Sequence, residues 1–252
     1  MTWLRSLLYT AFLFLSVPVH ATGVLLLAPC GHARYYQVAV AWARVNLWML
    51  EKLCGLRFEV EGREHVPPAP AVLYWKHESV FETMAGAVIF PPQTWVVKRE
   101  LMWLPFFGWG LALLRPIAIN RKAGRSAVKQ VIGQGQERLA SGLNVVIYPE
   151  GTRVLPGREQ RFGISGAALA KAAGCPVIPV AHNAGDFWSR RSFLKRPGTI
   201  RVVIGPPIDT RDLSHEEITR QGREWIAATV ARISPGRNAT VANSRDPQRS
   251  SA

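Results

Sequence analysis

The sequence predicts an α/β protein in which a single mixed sheet of about seven strands is flanked by helices and preceded by a pair of apolar helices. Two observations carry this prediction. After residue 55, short runs rich in β-branched and aromatic residues alternate with helix-like runs, which is typical of strands joined by covering helices. Before residue 56, two long apolar runs lack this alternation, so we expect helices there.

The alternating region contains candidates for both kinds of element. Strands are predicted at residues 58–60, 71–75, 94–97, 117–119, 144–148, 177–180 and 200–204. Helices are predicted at residues 80–89, 125–141, 164–173 and 214–233. In a sheet of this kind, functional side chains collect where strands end and loops begin. Three polar stretches directly follow a strand candidate, at residues 77–82, 98–100 and 150–153.

These patterns divide the chain into three parts. We predict membrane-associated helices at residues 1–55, an α/β domain at residues 56–236 and a disordered basic tail at residues 237–252. The 252 residues, 48% of them apolar, suffice for one sizeable domain with an appendage. The tail is polar and has no apolar periodicity, which is why we expect no fold there.

The first apolar run, residues 6–28, contains no Asp, Glu, Lys or Arg. As a helix it would extend roughly 34 Å, close to the ~30 Å of a bilayer's hydrocarbon core, and Arg5 predicts a cytoplasmic amino terminus. A cleaved signal peptide is the alternative, with its apolar region at residues 7–17 and its cleavage site at residues 19–21. The apolar residues resume at 24–28, which favours a retained membrane segment.

Two further apolar stretches each fit more than one environment. In residues 35–53, Gln37, Arg44 and Glu51 recur every seven residues and form one narrow polar stripe. That helix could pair with the first run, lie in the membrane interface or be buried in a core. Residues 101–114 read LMWLPFFGWGLALL, which suits a lipid chain, a membrane surface or core packing.

The formal net charge of +14 predicts an anionic partner, either nucleic acid, acidic lipid head groups or a phosphorylated substrate. The chain has no recognised nucleic-acid motif, and its aromatic residues cluster in an apolar segment instead of alternating with basic residues. We therefore expect a membrane partner and no nucleic acid. The three cysteines are scattered, which excludes a disulfide framework or a Cys-x-x-Cys metal site and suits a reducing compartment.

Several enzyme signatures fail in this chain. His77-Glu78 begins a zinc-protease motif, but Phe81 stands where the second histidine is required. Residues 163–167 miss the last glycine of a nucleophile elbow. Neither a Walker loop nor a dinucleotide fingerprint occurs. We expect no metal, no nucleotide cofactor and no serine nucleophile.

His77 and Glu82 are the candidate catalytic residues. A strand that ends at Trp75 and leads into a helix places His77 in the connecting turn and Glu82 in the first helical turn. A carboxylate that orients an imidazole makes that imidazole a plausible general base. The alternative is structural, because Ser79 and Glu82 also form a capping box in which Glu82 accepts the Ser79 amide.

The block Glu150-Gly151-Thr152-Arg153 is a candidate phosphate site after the strand at residues 144–148. Gly151 permits close approach by a ligand, Thr152 offers a hydroxyl, and Arg153 offers a planar fork that fits phosphate oxygens. An ordinary turn with a solvated arginine is the alternative.

Two further cations, Lys98 and Arg121, each follow a strand candidate. Together with Arg153 they would suit a phosphate monoester, which carries close to two negative charges. Surface charge in a basic protein is the alternative.

Taken together, these blocks resemble the 1-acylglycerol-3-phosphate acyltransferase family, which makes phosphatidic acid in membranes. The resemblance runs from about residue 60 to about residue 208, and its blocks appear in the family's order. They are His77…Glu82, then Lys98-Arg99-Glu100-Leu101 with Gly108 and Arg121 downstream, then Tyr148-Pro149-Glu150-Gly151-Thr152-Arg153, and last Pro176-Val177-Ile178-Pro179-Val180. One departure is Glu82, where the family usually has aspartate, so the carboxylate stands on an arm one methylene longer.

The resemblance implies a mechanism without an acyl-enzyme. His77 would take the proton from the free hydroxyl of lysophosphatidic acid, and that oxygen would attack the thioester of acyl-CoA or acyl carrier protein. Glu82 would hold the imidazole tautomer, as the acid of a serine-protease triad does. By the same resemblance, Arg121 and the Glu150–Arg153 block bind the glycerol phosphate, with Lys98 nearby, and no cofactor is needed.

The expected location is the cytoplasmic side of the inner or cytoplasmic membrane, where a lipid acceptor meets a cytosolic thioester. Two alternatives stay open at this stage. One is an acyltransferase of the same family that acts on glycerol 3-phosphate or a lyso-aminolipid. The other is a non-enzymatic protein that binds anionic membranes or nucleic acid through its charge, for which His77 would be dispensable.

Overall fold

The structure of the protein is a computed structural model that describes residues 1–120, 123–158 and 160–234. Arg121 and the predicted tail at 237–252 lie outside these residues. The strands are β1 (Leu56–Glu61), β2 (Val72–Trp75), β3 (Gln93–Lys98), β4 (Ile117–Ile119), β5 (Asn144–Ile147), β6 (Val177–His182) and β7 (Gly198–Ile204). The α-helices are α1 (Thr2–Leu26), α2 (His32–Cys54), α3 (Phe81–Ile89), α4 (Phe107–Leu113), α5 (Arg125–Ala140), α6 (Ser165–Ala173), α7 (Ala184–Phe187) and α8 (His215–Ile233).

The seven strands form one sheet in the order β1-β7-β6-β2-β5-β3-β4. Neighbouring strands are parallel except β6 and β7, which are antiparallel. The predicted mixed sheet of seven strands with flanking helices is therefore confirmed. Strands β6, β2, β5 and β3 run in the same direction, so their carboxyl ends meet at one edge of the sheet, which we call the carboxyl edge.

Both faces of the sheet are covered, and β2 shows how its sequence produces this. Leu73 and Trp75 pack into the core on the side of α2 and α3, while Val72 and Tyr74 pack into the core formed with α5, α6 and α8. Alternate residues of a strand point to opposite faces, so a strand covered on both sides must be apolar throughout. The apolar run stops at Trp75, and polar residues begin at the carboxyl edge.

Helix α1 packs antiparallel to α2 and also against the α/β domain. Tyr9 is fully buried, and its ring meets the ring of Trp188 edge-on with centroids 5.7 Å apart. The Ser6 hydroxyl accepts the backbone amide of Lys195 at 2.9 Å, although 189 residues separate them. The first helix is therefore part of the fold of the domain.

The opposite side of α1 is exposed to solvent, and we call it the bare side. Phe14, Leu15 and Val19 are each about two-thirds exposed or more, at 70%, 71% and 67%. Within the described residues, α1 is the one helix whose length and composition would let it cross a membrane. The predicted apolar helical pair is present, and on α2 the polar residues Gln37 and Arg44 lie on its exposed side.

The aromatic stretch at residues 101–114 is mostly a surface feature. Trp103, Phe106 and Trp109 are 67%, 45% and 50% exposed. The sequence did not predict α4 here, because its two glycines weaken a helical pattern. A side chain at Gly108 would place its Cβ 2.4 Å from the carbonyl oxygen of Met102, so glycine is required where the chain turns into α4.

Candidate active site

His77 lies in the turn between β2 and α3, at the carboxyl edge of the sheet. Its Nδ1 is 2.8 Å from Oε1 of Glu82, whose side chain is fully buried, while the His77 side chain remains 12% exposed. A carboxylate only accepts, so Nδ1 carries the proton and Nε2 keeps its lone pair. In the part of the chain that the structure describes, no hydrogen bond is made to Nε2, which leaves it available to a substrate.

Glu82 orients His77 and caps α3 at the same time. Its Oε1 also accepts the backbone amides of Glu78 at 3.0 Å and Ser79 at 2.8 Å, and its Oε2 accepts the Ser79 amide at 3.1 Å. The two interpretations that the sequence left open are compatible in this geometry. Because the amides come from the turn itself, they fix the carboxylate relative to the imidazole.

The charge states of this pair suit a base and its orienting acid. Burial alone raises the pKa of Glu82, but the hydrogen bond from His77, the neighbouring His182 and the Ser79 amide together hold that pKa below its ordinary value. Burial lowers the pKa of His77 below its ordinary value, and the charge of Arg153 lowers it further, against the opposing effect of Glu82. Near neutral pH we therefore expect an unprotonated imidazole beside an ionised carboxylate.

The ring of Tyr148, which directly follows β5, supports the imidazole from one side. The two rings are stacked, with centroids 3.9 Å apart and planes inclined by 16°. The Tyr148 hydroxyl lies 3.5 Å from the hydroxyl of Thr83, which holds the phenol in place. Between Glu82 and Tyr148, the His77 ring has little room to rotate, which is the preorganisation that general-base catalysis requires.

Glu150 lies beneath the turn, and it is only 5% exposed. One of its oxygens contacts the ammonium of Lys76, and the other accepts the backbone amide of His77 at 2.7 Å. Both oxygens are therefore engaged by groups of the protein. The contact with glycerol phosphate that the resemblance implied for Glu150 stays a prediction, and its geometry favours a role beneath the active site.

Arg153 lies close to His77. The amide of the next residue, Val154, donates to the His77 carbonyl at 2.7 Å, and Arg190 donates to the Arg153 carbonyl at 2.7 Å. Nε of Arg153 is buried and has no hydrogen-bond partner among the described residues. An arginine with an unused donor, close enough to lower the pKa of His77, is suited to bind an anionic substrate.

The structure ties the remaining predicted substrate-binding residues less directly to His77 and Arg153. Gly151 and Thr152 are exposed beside Arg153, and Gly151 has a positive φ of 69°, which favours glycine. Lys98 ends β3 and is exposed. It lies at the carboxyl edge, since β3 pairs in parallel with β5, but within the described residues no hydrogen bond or ion pair joins it to His77 or Arg153. Arg121 is outside the described residues.

His182 belongs to the site, although the sequence reasoning missed it. It is fully buried, its Nε2 donates to the Lys76 carbonyl at 2.8 Å, and its Nδ1 accepts the Ala184 amide at 3.1 Å. Its Nε2 is 3.9 Å from Oε2 of Glu82. A weak signal was present in the sequence, because His182 is a polar residue two positions after the strand predicted at residues 177–180.

Comparison with known proteins identifies the family. Residues 57–183, about half of the chain, match the sequence model of the family described as Acyltransferase. The 1-acyl-sn-glycerol-3-phosphate acyltransferase of Pseudomonas aeruginosa is 42% identical over 237 residues, which cover 92% of each chain. The protein is a 1-acyl-sn-glycerol-3-phosphate acyltransferase family member. The resemblance based on the ordered motif blocks is thereby confirmed.

Two further proteins are similar to this chain over two thirds of its length or more. The mouse 1-acyl-sn-glycerol-3-phosphate acyltransferase alpha is 30% identical over 179 residues, which are 69% of this chain and 63% of the mouse protein. The crystal structure of the 1-acyl-sn-glycerophosphate (LPA) acyltransferase PlsC from Thermotoga maritima superposes with a TM-score of 0.78 at 20% identity. That match covers 93% of this chain and 98% of the other, so the fold of the family extends through the amino-terminal helices.

Proposed function

We propose that this acyltransferase moves an acyl chain from acyl-CoA or acyl carrier protein to the sn-2 hydroxyl of lysophosphatidic acid, which gives phosphatidic acid. The observation that carries the proposal is that His77, whose Nδ1 is held by Glu82, lies close enough to Arg153 for the arginine charge to lower its pKa, while Nε of Arg153 has no hydrogen-bond partner among the described residues. A base beside an arginine that can bind an anion suits an alcohol that carries a phosphate. The relatives named above are called 1-acyl-sn-glycerol-3-phosphate acyltransferases, which supports this choice of acceptor.

His77 acts as the general base in this proposal. Its Nε2 takes the proton of the acceptor hydroxyl while that oxygen attacks the thioester carbonyl. Glu82 stabilises the imidazolium that forms, at the 2.8 Å separation seen from Nδ1. The tetrahedral intermediate then expels the thiolate, which takes the proton from the imidazolium, so His77 returns to its starting state and the acyl chain never bonds to the protein.

The phosphate of the acceptor is assigned to Arg153, with Gly151 and Thr152 beside it and with Lys98 and Arg121 as further cations of the site. Arg153 supports this assignment most directly, because its guanidinium acts on the pKa of His77 and therefore lies near the reacting hydroxyl. A bidentate arginine contact would also fix the direction of the glycerol backbone.

The location proposed for the enzyme is the cytoplasmic face of the membrane, in contact with the lipid acceptor. The bare side of α1 and the exposed Trp103 and Trp109 supply apolar surface, and the net charge of +14 suits anionic lipid and anionic donors. The contact of Ser6 with the Lys195 backbone supports a retained helix over a cleaved signal peptide, since cleavage would strip that contact from the domain.

The test compares the purified wild type with His77→Ala, in detergent micelles or proteoliposomes, by thiol release from acyl-CoA. We expect the wild type to release thiol with lysophosphatidic acid and His77→Ala to be slower by roughly 10²- to 10⁴-fold, the usual contribution of a general base. Glycerol 3-phosphate and a lyso-aminolipid are offered in parallel. A clear preference for either of these would replace the proposed acceptor, and full activity of His77→Ala would refute the mechanism.

A further inference from the structure

A buried cation lies directly beneath the catalytic turn. Lys76 is 8% exposed, and its ammonium stands between two buried carboxylates, in contact with Glu150 and 3.5 Å from Oε1 of Glu78. Neither the acid–base step nor the phosphate contact described above uses Lys76. A buried ion of this kind is costly to desolvate, so stability alone is a weak explanation for its presence.

Four hydrogen bonds fix the backbone amides and carbonyls of Lys76 and His77. The Lys76 amide donates to the Val180 carbonyl at 3.1 Å, and the Lys76 carbonyl accepts from His182 at 2.8 Å. The His77 carbonyl accepts the Val154 amide at 2.7 Å. The remaining group, the His77 amide, donates to Glu150 at 2.7 Å, and this is the one bond of the four whose acceptor is a charged side chain.

The strength of that bond depends on the charge of Glu150. Burial raises the pKa of Glu150 above its ordinary value, and Glu78 raises it further, while Lys76 and the His77 amide lower it. Without Lys76, the balance shifts towards the protonated acid, which accepts the His77 amide less strongly than the carboxylate does. Lys76 and Glu150 therefore act on His77 as one unit.

We propose that Lys76 is a positioning residue for the acyl transfer, as the buried counter-ion of Glu150, and that this ion pair sets the position of the His77 ring through the His77 backbone amide. The proposal rests on the proposed function, because it concerns the geometry of the same base. Its consequence is that Lys76 and Glu150 act on turnover and leave substrate affinity unchanged, unlike a residue that touches the lipid phosphate.

The first test is Lys76→Met, which keeps the length of the side chain and removes the charge. We expect kcat to fall roughly 10- to 100-fold, because a small displacement of a catalytic group has effects of this size, while KM for both substrates stays within about twofold. The kcat of the variant should also rise with pH as Glu150, whose pKa is raised by burial, loses its proton. The matched control is Lys129→Met, an exposed lysine of α5, which should behave as the wild type.

The second test is rescue by Lys76→Met/Glu150→Gln. The amide carbonyl introduced at position 150 can accept the His77 amide without a counter-ion, so we expect kcat to recover roughly tenfold over Lys76→Met, and the added pH dependence to vanish. Glu78 also faces Lys76. If the added pH dependence of kcat persisted in the double variant, it would come from Glu78, and the proposal would be overturned. A raised KM for the lipid acceptor in Glu150→Gln alone, with kcat unchanged, would overturn it as well, even if Lys76→Met failed to fold.

The two proposals fail in different ways. If the wild type prefers another acceptor, the proposed function fails, and the same kinetic comparison is made with the acceptor that it does use. If the wild type is active and Lys76→Met matches it in kcat and pH profile, the positioning role fails while the proposed function stands.

Discussion

Glu82 shows how one side chain can serve both local structure and chemistry. Its carboxylate accepts two amides of its own turn and also the Nδ1 proton of His77. The longer arm of glutamate, where the family usually has aspartate, reaches from the first turn of α3 back to all three donors. The sequence alone offered these roles as alternatives, because it does not show that the amides and the imidazole approach the same oxygen.

Glu82→Gln separates the two roles by experiment. The amide cannot stabilise an imidazolium as a carboxylate does, so we expect kcat to fall by at least roughly 10²-fold, while the free energy of unfolding falls by only about 1 kcal/mol. Thiol release and thermal unfolding in the same detergent measure the two effects. Unchanged turnover with the same small loss of stability would leave Glu82 as a cap only.

The lowered pKa of His77 predicts the acid limb of the pH profile. The base works in its neutral form, so kcat/KM should rise with pH and level off above the pKa of His77. Because burial and Arg153 lower that pKa, the midpoint should lie below the ordinary value of about 6.5. A profile of kcat/KM from about pH 4.5 to about pH 8 measures it, and a midpoint above about 6.5 would contradict the assignment of His77 as a buried base.

At the scale of elements, the link between α1 and the domain centres on Lys195. This residue is 3% exposed, and its ammonium lies 5.1 Å from the ring centroid of Trp188, 5.0 Å from that of Phe193 and 5.6 Å from that of Tyr9. It also donates to the hydroxyl of Thr10 on α1. The Lys195 ammonium is therefore surrounded by three aromatic rings and makes one hydrogen bond to α1. These contacts join α1 to the loop that follows α7.

Lys195→Met tests this link. Loss of the cation–π contacts and of the hydrogen bond should reduce the free energy of unfolding by about 1–3 kcal/mol, which lowers Tm by roughly 5 °C for a chain of this size. Thermal unfolding of the detergent-solubilised protein measures the change, with Lys129→Met as the control. Equal Tm values for the two variants would show that the aromatic cluster holds α1 without the cation.

The elements themselves were largely predictable, and the exceptions have physical causes. All seven strands were predicted, because each contains a short run rich in β-branched, aromatic or other apolar residues, even where β1 and β7 also carry charged residues. Helix α4 was missed because Gly108 and Gly110 weaken its helical pattern, and the reason for them is tertiary, since a Cβ at Gly110 would lie 3.3 Å from that of Ala21 on α1. The position of Glu150 beneath His77 could not be predicted, because it depends on a pairing between β2 and β5 across 73 residues.

At the scale of the whole molecule, the bare side of α1 and the aromatic residues around α4 define the surface that we assign to the membrane. Helix α4 packs against α1, so these apolar groups belong to one face. The amino-terminal end of α1 lies near the carboxyl edge of the sheet, because Ser6 meets the Lys195 backbone, and Gly55 at the end of α2 pairs with Gly198 at the start of β7. The active site is therefore on the same side of the molecule as Arg5.

Quenching of tryptophan fluorescence by brominated lipids tests this orientation in proteoliposomes. Trp103 and Trp109 are two of the four exposed tryptophans among the described residues, with Trp3 and Trp48, so replacing both with Phe should remove a clear part of the quenchable fluorescence. Trp95→Phe is the control, because Trp95 is 7% exposed and its loss should leave the quenched signal nearly unchanged. Equal effects of the two changes would place the aromatic segment away from lipid.

The burial of Tyr9 has a practical consequence for anyone who wishes to make this enzyme soluble. Deleting the residues before Gly31 would remove more than an apolar segment, because the loss of Tyr9 would leave a cavity beside Met84 and Trp188, and Met84 is only two residues from Glu82. Such a truncation would therefore disturb the packing next to the candidate active site. Replacing the outward-facing Phe14, Leu15 and Val19 with polar residues, while Ser6 and Tyr9 are left in place, is the course that the packing recommends.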